Sequence, residues 1–100
     1  MSNILEKLFR LDGRVVVVNG GAGRIGSKIC LALGDVGADV VVLDLDGEKA
    51  QSVADQVKAE TGGKALAICT DSTDPASLDE ALKQIESEFG LPYGLVNATQ

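Results

Sequence analysis

Four short apolar runs alternate with three amphipathic stretches along this chain, and the alternation predicts its elements. The first run, Val15 to Val18, is four consecutive valines, and Asp39 to Asp44 (DVVVLD) has the same β-branched character. Such runs, with no polar residue between them, suit strands of a sheet that is covered on both faces. Ala65 to Thr70 (ALAICT) and Gly94 to Asn97 (GLVN) predict a third and a fourth strand. Between the runs the spacing changes to that of helices. Ile25, Ile29 and Leu33, with Ala32 and Val36 beside them, predict one buried stripe. Ala50, Val53, Ala54 and Val57 predict a second, with Gln51, Asp55, Lys58 and Glu60 facing water, and Leu78, Leu82, Ile85 and Phe89 predict a third.

The punctuation agrees with this division. Gly34 and Gly37 loosen and end the first helix. Asp46 is placed to cap the second, which Thr61-Gly62-Gly63 stops. Asp74 caps the third, with Pro75 at the first helical position, where a missing N–H costs nothing, and Gly90 and Pro92 end it. Ile4, Leu5, Leu8 and Phe9 fall at helical spacing in a lead-in over residues 1–13 that turns into the first strand at Leu11-Asp12-Gly13. Residues 14–100 then read β-α-β-α-β-α-β, one domain portion with a parallel sheet between helices. A right-handed crossover of this length sets the second strand parallel to and beside the first, and the expected strand order is 3-2-1-4. Connections then leave in opposite directions between strands 1 and 4, where a crevice opens at the strand C-termini. Gly20, Asp44, Asp71 and Asn97 all lie on that rim.

The candidate chemistry sits in VVVVNGGAGRIG, Val15 to Gly26. Gly20, Gly21 and Gly23 allow a tight turn and a close approach of ligand to backbone. The helix that follows points unpaired N–H groups and the positive end of its dipole at the turn, which suits a phosphate. Gly26 lets the helix lie close to the strand it has just left. Asp44 closes the next strand eighteen residues after Gly26, near the place where a dinucleotide site needs a carboxylate for the adenosine ribose hydroxyls. The competing reading is a bare βαβ turn with an ordinary capping aspartate.

Composition narrows the partners. Nine basic and fifteen acidic residues in 100 give a net charge of −6, which disfavours nucleic acid and anionic membrane. No apolar run reaches the length of a membrane span, and the charged N-terminus is not a targeting segment. The expected compartment is the cytoplasm. Cys30 and Cys69 read as small core residues, with a disulfide or a reactive thiol as the lesser reading. With no histidine in the chain and no cysteine pair at metal spacing, no transition-metal site is expected.

From about Arg14 to Thr99 these motifs resemble the short-chain dehydrogenase/reductase family. NGGAGRIG is similar to that family's Thr-Gly-x-x-x-Gly-x-Gly turn, with Asn19 for the threonine and Arg24 for the middle glycine; Gly20, Gly23 and Gly26 also fit the register Gly-x-x-Gly-x-x-Gly. The resemblance implies the first half of a three-layer, doubly wound Rossmann sheet. It places Gly20, Gly23, Arg24, Ile25 and Gly26 against the cofactor, with Arg24 open to reading as a phosphate contact or a solvated helix-start residue. Asp44-Leu45 resembles the NAD-preferring signature, in which a carboxylate also repels the additional phosphate of NADP, so NAD is expected over NADP. Asp71-Ser72 resembles the Asp-Val pair that meets the adenine, and a loop aspartate with local turn bonds is its rival reading. LVNAT resembles Leu-Val-Asn-Asn-Ala, placing Asn97 and Ala98 at the cofactor edge.

The family also works with a serine and a Tyr-x-x-x-Lys pair. Here the only tyrosine is Tyr93, Asn97 stands where the lysine belongs, and no lysine follows Lys83. The resemblance therefore implies the N-terminal, cofactor-binding part of an oxidoreductase that interconverts alcohol and ketone, inactive by itself, whose small-molecule substrate is met only in a full-length parent. A non-catalytic dinucleotide-binding or sensing module is the alternative, and a methyltransferase-like sheet is a weaker one. The fourth strand would be left as an open edge, and marginal stability of the isolated chain or self-association through that edge is expected.

Overall fold

The valine runs form the sheet that their character calls for. A computed structural model describes residues 10–99, and the lead-in stripe of Ile4, Leu5, Leu8 and Phe9 lies outside them. The elements are β1 (Val15–Asn19), α1 (Arg24–Asp35), β2 (Asp39–Asp44), α2 (Gly47–Thr61), β3 (Ala65–Cys69), α3 (Pro75–Glu88) and β4 (Gly94–Asn97). All pairings are parallel and the strand order is β3-β2-β1-β4. Val15 lies opposite Asp39, and Val16 lies opposite both Val40 and Gly94.

Alternation along the strands divides the core in two. Val16, Val18, Val40 and Val42 meet Cys30 of α1 and Ala50, Val53, Ala54 and Val57 of α2. Val15, Val17, Val41, Leu43 and Ile68 meet Ala81 and Ile85 of α3 on the opposite face. The result is three layers, with each buried valine contributing roughly 1.5–3 kcal/mol. The caps fall where the sequence puts them. Asp46 accepts the Lys49 amide at 3.1 Å and Asp74 the Ala76 amide at 3.1 Å, and Gly62 closes α2 in the left-handed conformation with φ 73°.

Four expectations need correction. The buried stripe of α1 is Gly26, Cys30 and Gly34, while Ile29 and Leu33 flank it, Ala32 is exposed and Ile25 is 56% exposed. Small residues bring the helix axis close to the sheet, so its bulkier apolar side chains are displaced to the sides. Gly34 does not loosen α1. It lies inside the helix, where an added Cβ would come within 2.9 Å of Val57 and 3.0 Å of Thr61, so its lack of a side chain seats α1 against α2. On α3, Ile85 is buried and Leu78 and Phe89 half-buried, but Leu82 is 48% exposed, beside an apolar groove next to β4. Cys30 is buried, and burial pushes its thiol up to about 12, whereas Cys69 is exposed. Cys69 ends an edge strand, and its Sγ donates to the Leu45 carbonyl at 3.3 Å rather than entering either core layer.

Candidate functional site

Gly20, Gly21 and Gly26 each answer a different close neighbour. Gly20 has φ 78°, and a Cβ there would meet Thr99 Cγ2 at 2.9 Å. A Cβ on Gly21 would meet Val42 Cγ1 at 2.8 Å, and one on Gly26 would run into the Gly20 carbonyl oxygen. The glycine amides of the turn are already engaged. Gly20 and Gly21 donate to the Leu43 carbonyl at 2.8 and 3.0 Å, and Gly23 donates to that of Gly20 at 3.2 Å. Helical bonding resumes with the Ser27 amide on the Gly23 carbonyl at 2.9 Å. The amides of Arg24, Ile25 and Gly26 therefore form the open first turn of α1. No side chain caps it. Together with the dipole they are suited to hold an anionic oxygen.

Asp44 ties this turn to the next loop. Its Oδ2 accepts the Ala22 amide and its Oδ1 the Asp46 amide, both at 3.0 Å. Each carboxylate oxygen has a second lone pair, so two hydroxyls can still be accepted. Asp71 is fully exposed, and its Oδ1 takes the Thr73 hydroxyl at 2.7 Å and the Thr73 amide at 2.9 Å. The hydroxyl bond first, then the amide bond, hold its carboxyl below the ordinary aspartate value. This is the local turn geometry of the rival reading, with Oδ2 left unengaged among the described residues. Asn97 is also occupied, its Oδ1 accepting Thr99 Oγ1 at 2.8 Å and Asn19 Nδ2 at 3.3 Å.

Two branches of one crevice join these groups, sharing Gly20, Asp44 and Thr99. One, of about 640 Å³, adds Gly23, Arg24, Ile25 and Ala98. The other, of about 240 Å³, adds Asn19, Leu45, Thr70, Asp71, Ser72 and Thr73. Of the sequence candidates, Gly26 and Asn97 line neither branch. Gly26 is buried beneath the turn, and Asn97 braces Asn19 and Thr99 from behind. Arg24 is exposed at the mouth and makes no ion pair among the described residues. Sequence reasoning gave no role to Thr70, Thr73 or Thr99. No spacing rule marks them, and a shared crevice is visible only once the strand ends are side by side. Tyr93 lies at the other end of the sheet, its amide on the Val15 carbonyl at 2.7 Å and its ring under Arg14 at 4.7 Å. Among the described residues no group of His, Cys, Asp and Glu is placed to hold a metal, and no helix is long and apolar enough to cross a membrane.

Comparison with known proteins gives a consistent result. D-threitol dehydrogenase of Mycolicibacterium smegmatis is 38% identical over 90 residues, which is 90% of this chain and 34% of that protein. L-Sorbose reductase from Gluconobacter frateurii, solved with NADPH and L-sorbose, superposes with a TM-score of 0.87 at 25% identity over 92% of this chain and 35% of its own. NAD⁺-bound xylitol dehydrogenase superposes at 0.80 with 26% identity, covering 84% and 32%. The chain thus spans about a third of the length of the relatives it matches. Residues 14–99 match the pattern of the short chain dehydrogenases, and the chain belongs to that family.

Proposed function

We propose that this chain is the dinucleotide-binding part of an oxidoreductase that interconverts an alcohol and a ketone by hydride transfer, with NAD preferred over NADP. The observation that carries the reading is the crevice that places Arg24 and Ile25, at the open first turn of α1, beside the Asp44 carboxylate. The amides hold the pyrophosphate, with Gly20 and Gly23 giving the backbone access and Arg24 adding a positive charge at the mouth. Asp44 accepts the ribose hydroxyls through its remaining lone pairs, and its charge opposes the extra phosphate of NADP. Leu45, 71% exposed at the rim, and Ser72 flank the base, which Asp71 meets through its unengaged oxygen. Ala98 lines the other wall, and Asn97 acts through the residues it braces.

The bound nicotinamide supplies the hydride acceptor or donor. The protein's task in these residues is to fix where that ring sits. Proton handling and the small-molecule substrate are assigned to the two-thirds of the relatives' length that this chain does not span. A non-catalytic dinucleotide-binding module is the second reading, favoured by the position of Tyr93 at the far end of the sheet from the crevice. It predicts NADH binding without alcohol oxidation by the natural full-length protein. Two free thiols suit a reducing, cytoplasmic setting.

Fluorescence titration of the natural full-length protein tests the assignment. NADH should bind at least ~10-fold more tightly than NADPH, about 1.4 kcal/mol. Equal affinities remove the NAD preference, and binding of neither removes the dinucleotide reading.

The β4 edge carries a second expectation. Leu95 is 69% exposed and Tyr93 60%, beside a groove of about 450 Å³ that Leu78 and Leu82 also line. Parallel sheets are ordinarily covered on both faces and at such edges. The 100-residue chain by itself is therefore expected to self-associate, with a mass by sedimentation equilibrium that rises with concentration. A monomer mass constant across concentrations contradicts this.

A further inference from the structure

Thr70 is the one buried polar side chain among the described residues; it is 3% exposed, and its Oγ1 has no hydrogen-bond partner there. An unpaired buried hydroxyl weighs against the fold, and native structures rarely keep one without a use. Its position suggests the use. Thr70 lies one residue beyond β3 with its amide on the Asp44 carbonyl at 2.9 Å, and it lines the narrower branch of the crevice with Asp44, Leu45, Asp71 and Ser72.

We propose that Thr70 is a binding residue for the adenosine half of the dinucleotide, its hydroxyl hydrogen-bonding that half once it fills the narrower branch. The inference rests on the dinucleotide reading above and adds a contact to it. A hydroxyl both donates and accepts, and the adenine edge offers ring-nitrogen acceptors beside an amino donor. In the present arrangement the oxygen is closed off from water. Threonine occupies more than one χ1 well, and rotation between wells exchanges the hydroxyl with the methyl without moving the backbone. That backbone is braced on both sides. The Asp71 amide donates to Ser77 Oγ of α3 at 3.0 Å, and Thr73 secures the Asp71 carboxylate. The loop is thus set before the ligand arrives, which limits the ordering cost of binding.

Calorimetric titration of the natural full-length protein with ADP-ribose tests this, using wild type, Thr70→Val and Thr70→Ser. Thr70→Val should bind about 5-fold more weakly, as expected for one lost hydrogen bond, and Thr70→Ser should stay within about 2-fold of wild type. The melting midpoint of Thr70→Val without ligand should be unchanged or higher, since an unpaired buried hydroxyl has gone. Unchanged ADP-ribose affinity in Thr70→Val overturns the inference alone. So does a weakened affinity in both variants accompanied by lowered melting midpoints, which would mark a structural role. A wild-type protein that binds no ADP-ribose overturns the dinucleotide reading and this inference with it.

Discussion

Alanine at Gly26 is expected to weaken NADH binding more than tenfold and to destabilise the fold by about 3 kcal/mol. A Cβ at that position would drive into the Gly20 carbonyl oxygen and lie 2.9 Å from Gly21 Cα. Both are backbone atoms, so no rotamer change relieves the contact. The turn has to lift away from α1, which strains the bonds of Gly20 and Gly21 to the Leu43 carbonyl and displaces the open amides from the crevice. Gly23→Ala is the matched control. Its nearest neighbour is the Gly20 oxygen at 3.4 Å, and its φ of −73° is open to any residue, so a cost below about 1 kcal/mol is expected. Urea unfolding of the two variants, with NADH titration of Gly26→Ala, checks this. Similar losses of stability in both would mean that glycine at Gly26 serves backbone flexibility and not the fit of helix to turn.

That contrast also shows where the sequence was legible. The three-layer sheet and its strand order followed from four apolar runs and three helical spacings, because buried parallel strands and their crossovers admit few topologies. Caps at Asp46 and Asp74 were legible because a capping bond is local. Helix faces were less so. Reading α1 by its large residues chose Ile25, whereas the buried positions are Gly26 against the turn, Cys30 in the core and Gly34 against α2, a choice set by how closely two surfaces approach. The rim of the site was legible as a set of strand ends, and Gly20, Asp44, Leu45, Asp71 and Ser72 do share a crevice branch. The local turn bonds of Asp71 were legible as its rival reading, but what Asp44 already holds was not. Asp71 is bonded to Thr73, and Asp44 to the amides of Ala22 and Asp46, contacts that depend on backbone direction after the strand has ended.

The two amide bonds make Asp44→Ala the change expected to cost most in NADH affinity. NADH affinity should fall about a hundredfold, roughly 2.7 kcal/mol, since charge-assisted bonds to the ribose and the seating of the turn are lost together. NADPH affinity should change less than tenfold, because the lost anchoring is offset by relief of repulsion at its extra phosphate. The preference for NADH therefore collapses. Without ligand the variant should also lose about 2 kcal/mol of stability, the Ala22 and Asp46 amides having lost their acceptor. Asp44→Asn separates the two roles. Its amide oxygen can keep one backbone N–H while its NH₂ confronts the other, and the negative charge is gone in either orientation. If charge governs the choice of cofactor, Asn and Ala should show the same NADH-to-NADPH ratio while differing in melting temperature. A ratio that instead tracks melting temperature through both variants would assign Asp44 to holding the turn and not to the choice of cofactor.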